Sequence, residues 1–162
     1  MRQLNPDHIS AVIRTINEGP YFKLLSMKVT ELGEGYCKME VDIDCKHLNP
    51  FGALHGGVYA SLIDTAAFWA VYGSIPEEDG FITLDLKVDN LSTTDEDKMI
   101  VEGKLIKSGR TICFSSATVK TESGKLLAYG TSKMLVTQGL QTIHQAAEAM
   151  ECPPLPVKFI EK

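Results

Sequence analysis

The stretch Asn49-Pro50-Phe51-Gly52-Ala53-Leu54-His55-Gly56-Gly57-Val58-Tyr59-Ala60-Ser61-Leu62-Ile63-Asp64-Thr65-Ala66-Ala67-Phe68-Trp69-Ala70-Val71-Tyr72-Gly73 decides how this chain folds. A loop rich in proline and glycine ends in His55-Gly56-Gly57. The run 58–72 then holds neither residue, and Gly73 closes it. Its length and its Ala, Leu, Ile, Val and aromatic content predict a helix rather than a strand. Apolar residues lie on nearly every face, so the helix is expected to be buried all round. With an aspartate inside and this length, it is no membrane span.

Asp64 asks for an explanation. It is the only formally charged side chain between Lys46 and Glu77. An ionised carboxylate among apolar neighbours costs several kcal/mol unless it is hydrogen-bonded or paired. One reading puts Asp64 on a thin polar stripe with Ser61 and Thr65, touching water. The other gives it chemistry, because two glycines stand at the helix entrance. Glycine there lets another group approach the backbone closely, and free N–H groups at a helix N-terminus favour negative charge. A carbonyl-polarising helix end and a carboxylate on one helix point to catalysis.

The whole chain sets bounds. Its 162 residues suit one domain, with 44% hydrophobic and 23% charged residues. A net charge of −5 argues against a general nucleic-acid binder. No apolar leader follows Met1, and no segment reads as membrane-spanning. Cys37, Cys45, Cys113 and Cys152 are scattered without metal-ligand spacing, so free thiols in a reducing cytoplasm are expected.

Asn5-Pro6 ahead of Ile9, Val12, Ile13 and Ile16 predicts a capped amphipathic helix within residues 1–20, ended by Gly19-Pro20. Two strands over 28–43 turn at Gly33-Glu34-Gly35. After the central helix come strands from Gly80 onward, then over 98–107, 111–121 and 125–136, joined by short glycine-containing hairpins. In the first of these, Ile82, Leu84, Leu86 and Val88 are expected to face the helix. The extension 137–162 is expected to hold a short helix over 142–150, followed by a proline-broken end that is either bound to the surface or loose. One helix with many antiparallel strands is an α+β layout, in which the sheet must curl to bury the helix.

The pattern Asn49-x5-His55-Gly56-Gly57 with Asp64, then Thr83-x-Asp85-x-x-Val88 and Lys107-Ser108-Gly109-Arg110-Thr111, resembles the hotdog-fold acyl-CoA thioesterases. The nearest likeness is to the phenylacetate-degradation (PaaI-like) branch, which includes small mammalian acyl-CoA thioesterases, and it runs over 49–136. The resemblance implies a single hotdog domain over 1–162, a curved antiparallel sheet wrapped around the central helix. It also implies that Gly56 N–H binds the thioester carbonyl, Asn49 assists there and His55 supports the loop. Asp64 then acts as general base or nucleophile, and Thr83 orients it. Strict alternation turns Thr83 away from the helix, so this last role needs a bulge.

The chemistry fits these residue types independently. A fixed N–H stabilises charge developing on a carbonyl oxygen, and a carboxylate either deprotonates water or attacks directly. Neither route needs a cofactor, and coenzyme A enters only as part of the substrate. Gly57 is a packing glycine or a second donor. Lys107 and Arg110 flank a hairpin tip, where they are solvated or pair with coenzyme phosphates. Other readings are a hotdog dehydratase or hydratase, disfavoured by the Asp64 spacing, and a non-catalytic acyl-CoA binding module. Gly56 and Asp64 are eight residues apart, about 12 Å along a helix, too far to serve one carbonyl. Two-fold pairing of two copies solves this, so a homodimer with shared sites is expected. The resemblance adds pairs of dimers.

Overall fold

The computed structural model describes residues 2–161; Met1 and Lys162, the ends of the expected domain, lie outside the described residues. In chain order come β1 (Arg2–Leu4), α1 (Pro6–Asn17), α2 (Pro20–Leu25), β2 (Met27–Gly33), β3 (Tyr36–Asp42) and a single 3-10 turn at Cys45–His47. Then follow α3 (Gly56–Tyr72), β4 (Asp79–Asn90), β5 (Lys98–Lys107), β6 (Ile112–Thr121), β7 (Leu126–Gln138), α4 (Ile143–Ala149) and β8 (Phe159–Glu161). Six strands form one antiparallel sheet in the order β2-β3-β5-β6-β7-β4, and α3 packs against every one of them. This is the expected α+β arrangement, a hotdog fold.

The sheet can wrap α3 closely where small residues meet, as at Ala66, Ala67 and Ala70 of the helix and Gly103 of β5. Leu62, Ile63, Ala66, Ala67, Ala70 and Val71 are fully buried. Burying each leucine or isoleucine contributes roughly 1.5–3 kcal/mol. At Gly103 of β5 a Cβ would stand 2.0 Å from Ala66 O, so only glycine lets the strand lie on the helix backbone. The buried Ser115 hydroxyl donates to Ala67 O at 2.8 Å. Asn5 caps α1 as expected, its side chain accepting from Asp7 N–H at 3.1 Å.

Three expectations are corrected. First, α3 is not buried all round. Ala60, Ser61, Asp64, Thr65, Phe68 and Trp69 are only partly buried, and their spacing places them on one face. Six strands do not close around a helix, so the stripe beside the sheet edge stays open. Second, β4 does not alternate strictly. Its register against β7 shifts between Thr83 and Asp85. Before this bulge Phe81 and Thr83 face inward; after it Leu86 and Val88 lie opposite the inward Ser132 and Gly130. Leu84 is the extra residue and is 50% exposed.

Third, the C-terminal end is not loose. Strand β8 pairs with β1, Leu4 opposite Phe159. Asn5 donates its N–H to Lys158 O and its side-chain amide to Val157 O, both at 2.8 Å. Lys158 is fully buried, donating to Tyr72 O at 2.7 Å and Ile75 O at 2.8 Å, with its Nζ 3.9 Å from the Tyr72 ring centre. A cation thus caps the last carbonyl of α3 and ties down the turn that follows it. His8 completes the knot. Its Nδ1 donates to Pro156 O, which leaves Nε2 to accept from the Tyr72 hydroxyl, and burial lowers its pKa in keeping with a neutral ring.

Lys158→Met leaves Ile75 O without its buried donor and Tyr72 O with only Ile75 N–H at 3.5 Å, and is expected to cost about 1.5–3 kcal/mol, a Tm fall of roughly 3–12 °C. Burial draws the Lys158 pKa from 10.5 down to about 8. Between these values the unfolded chain binds more protons than the folded one, so Lys158 makes stability rise with pH across that window. Thermal unfolding at several pH values should show this increment in the wild type and not in Lys158→Met.

Candidate active site

The loop before α3 is held by its own hydrogen bonds. Asn49 Oδ1 accepts from Phe51 N–H at 2.9 Å and Ala53 N–H at 3.2 Å, while Asn49 N–H donates to Ala53 O at 2.7 Å. His47, fully buried, receives Asp44 N–H on Nδ1 at 2.9 Å, and its Nε2 therefore donates to Leu25 O at 2.7 Å. His47 O accepts from His55 N–H at 2.9 Å, which anchors the end of the loop. His55 is the N-cap of α3, its Nδ1 accepting from Gly57 N–H at 2.8 Å. The ring proton then sits on Nε2, at an exposed position.

This bonding leaves one donor free at the helix entrance. Gly57 N–H is taken by His55 and Val58 N–H by His55 O at 2.9 Å, whereas Gly56 N–H meets no acceptor among the described residues. Of the two glycines, Gly56 therefore has the available N–H, at the positive end of the helix dipole. A Cβ on Gly56 would stand 2.8 Å from Asn90 Nδ2. Asn90, at the end of β4, thus brings an amide to the same place. Nothing in the sequence around Asn90 signals this; it follows from how β4 runs past α3.

Two turns further on, Asp64 lies half-buried on the open stripe, and Thr83 donates its hydroxyl to Asp64 Oδ1 at 3.1 Å. The β4 bulge therefore re-aims Thr83 at the carboxylate. Burial raises the Asp64 pKa above the ordinary carboxylate value, and the Thr83 hydrogen bond partly opposes it. Beside it, Thr65 donates to Ser61 O at 2.7 Å, and Ser61 shares a hydrogen bond of 2.6 Å with Tyr21 of α2. The stripe is thus both the polar, water-facing strip foreseen as one alternative and the place of the carboxylate.

The structure brings Asp64 and Thr83 together at one end of β4, and Asn49, His55, Gly56 and Gly57 at the other. Lys107 and Arg110 do not join Gly56. Sheet register sets Ile112 beside Leu135 and Leu135 beside Ile82, so their hairpin lies two strands from the Asp64 end. That is about 10 Å across the sheet. Both cations are exposed. Among the described residues no three His, Cys, Asp or Glu side chains cluster as metal ligands, and no helix is long and apolar enough to cross a membrane.

Residues 51–128 match the model of the thioesterase superfamily. A Haemophilus influenzae protein is 30% identical over 104 residues, 63% of this chain and 74% of that protein. The chain belongs to the thioesterase superfamily. Human Acyl-coenzyme A thioesterase 13 is 26% identical over 125 residues, covering 74% of this chain and 87% of its own. Among solved superfamily structures, a Haemophilus influenzae thioesterase superposes with a TM-score of 0.75 at 22% identity, over 82% of this chain and 92% of that one. A thioesterase family protein from Silicibacter pomeroyi also gives 0.75, at 21% identity over 82% and 99%. These two likenesses concern the fold.

Because the folded state holds the Asp64 pKa above its unfolded value, the ionised carboxylate weakens folding at neutral pH, and this cost disappears as pH falls through the raised value. Asp64→Asn is therefore expected to match or exceed the wild-type Tm at pH 7. Removing the stabilising hydroxyl in Thr83→Ala should move the Asp64 titration, followed by carboxyl NMR, to higher pH. A Tm well below wild type in Asp64→Asn would contradict the cost assigned to the charge.

Proposed function

We propose that this superfamily member hydrolyses an acyl-CoA thioester to a free acid and coenzyme A, as a relative of the small acyl-CoA thioesterases of the phenylacetate-degradation (PaaI-like) branch. One observation carries the reading: a carboxylate held by Thr83 on the open stripe of α3, on the same helix whose N-terminal Gly56 N–H meets no acceptor among the described residues. The similarity to Acyl-coenzyme A thioesterase 13 supports the choice of substrate class.

In the proposed reaction the thioester carbonyl accepts from Gly56 N–H, and the dipole of α3 stabilises the charge developing on oxygen. Losing one such donor typically costs about 10²–10³ in rate. Thr83 occupies Asp64 Oδ1, so the other carboxylate oxygen faces water. Asp64 takes a proton from that water as its oxygen bonds the carbonyl carbon. The C–S bond then breaks, and the proton passes from Asp64 to the departing thiolate. A pKa raised by burial suits this base role at neutral pH. The route requires no metal or organic cofactor. Lys107 and Arg110, exposed at their hairpin, are assigned in this reading to pair with coenzyme phosphates.

Asp64 and Gly56 lie about 12 Å apart along α3, and bond formation needs about 3–3.5 Å. Each site therefore takes Gly56 from one copy and Asp64 from a second. Strand β4 suits such pairing. It is a sheet edge twelve residues long, with Leu84, Leu86 and Leu91 38–57% exposed beside it. A long apolar edge of this kind pairs readily with another strand. Antiparallel β4–β4 pairing about a two-fold axis extends the sheet and sets the two open stripes against one another.

Gly56→Val and Asp64→Asn chains should each be inactive alone in a thiol-release assay. Refolded as an equal mixture, half the dimers are hybrids with one intact site each, so activity should return to about a quarter of wild type. A mixture that stays dead despite verified subunit exchange would rule out shared sites.

A further inference from the structure

Below Asp64 the open stripe leads into a cavity of about 360 Å³ between α3, β4 and α4. Phe68 lies one turn past Asp64 on the same face of α3, and Phe81 lies two residues before Thr83 on the inward face of β4. The two elements that hold the carboxylate and its threonine therefore continue directly into the cavity wall. Phe68 stacks on Phe81 with ring centres 4.0 Å apart, and Trp69 meets Phe81 edge-on at 6.3 Å. Ile143 and Ala146 of α4 close the far side.

Helix α4 is built to stay there. Thr142 caps it in a reciprocal box with Gln145. A Cβ on Gly80 would stand 1.9 Å from Leu140 O, so glycine lets the approach to α4 lie on the start of β4. His144 meets Glu77 at 3.2 Å. This wall lies in the C-terminal extension, outside residues 51–128, the segment matched by the superfamily model.

We infer that this cavity receives the apolar acyl tail of the substrate, and that Ile143 and Ala146 set which tails are accepted. The inference rests on the thioester-hydrolase reading for the carboxylate at its mouth. A tail whose carbonyl lies at Asp64 reaches the cavity by running one turn along α3 past Phe68. Asp79, Thr142 and Gln145 also border the cavity, but its walls are mainly apolar and aromatic, which favours alkyl or aryl acyl groups over negatively charged ones.

Trp69 is the only tryptophan in the chain and lies in the wall, so its fluorescence reports entry directly. Titration with acetate, hexanoate, octanoate and decanoate below micelle-forming concentrations should give no response to acetate. Affinity among the longer acids should rise by about fourfold per methylene until the cavity is full. Ala146→Phe, which fills the cavity from α4, should abolish the decanoate response. It should also lower the ratio of kcat/KM for decanoyl-CoA over acetyl-CoA at least tenfold. A response independent of chain length, or one unchanged in Ala146→Phe, overturns the inference. If Ala146→Phe does not fold, the wild-type series decides alone. Chain-length-dependent binding with no thiol released from any acyl-CoA would sink the hydrolase reading while leaving the pocket in place.

Discussion

The hydrogen bond of 3.1 Å from Thr83 to Asp64 joins the central helix to the edge strand, and several other features are arranged around it. It sits where the sheet stops, because six strands cover α3 on all faces but one. It exists only because β4 carries an extra residue after Thr83, which turns that hydroxyl inward while the strand keeps its pairing with β7. The carboxylate it holds is half-buried, with its pKa raised by burial and restrained by the hydroxyl. Strict alternation would have pointed a leucine at Asp64 and left the charge with no partner on β4.

The rest of the fold serves two ends of one helix. At the N-terminal end, Asn49 and His55 use their side chains to satisfy loop and helix N–H groups, and Gly56 N–H meets no acceptor among the described residues. At the C-terminal end, Lys158 returns from the far end of the chain to bind the last helix carbonyl, Tyr72 O, and Ile75 O just beyond it. Between them, small residues on both helix and sheet bring backbones together closely enough to leave little freedom in where α3 lies. A fixed helix makes the separation of Gly56 and Asp64 fixed too. The proposal that two copies complete each site rests on that rigidity.

The C-terminal extension changes what the shared core can do. Its proline run breaks the helix but does not free the chain, since β8 and Lys158 bind it to β1 and to α3. With the tail held, α4 stands against the start of β4 and encloses the aromatic cavity below the carboxylate.

Much of this was legible in the sequence. The central helix, its glycine borders, the capped first helix and the glycine-linked strands follow from local periodicity and from residues with few backbone options. A lone charge in an apolar helix marked Asp64, because an unpartnered carboxylate there is too costly to be incidental. The spacing of Gly56 and Asp64 gave their separation, since helical rise is constant. The rest depended on contacts between distant segments. The bulge that re-aims Thr83 leaves no local mark, because Leu84 and Leu86 read as ordinary inward strand residues. Asn90 meets Gly56 only because β4 passes the helix entrance. Lys158 reads as a surface lysine until its place under Tyr72 is known. Sequence periodicity reports which face of an element is apolar. Where the sheet ends, which stripe of the helix stays open and which distant side chains close around it were decided by tertiary packing, because those are properties of how elements meet.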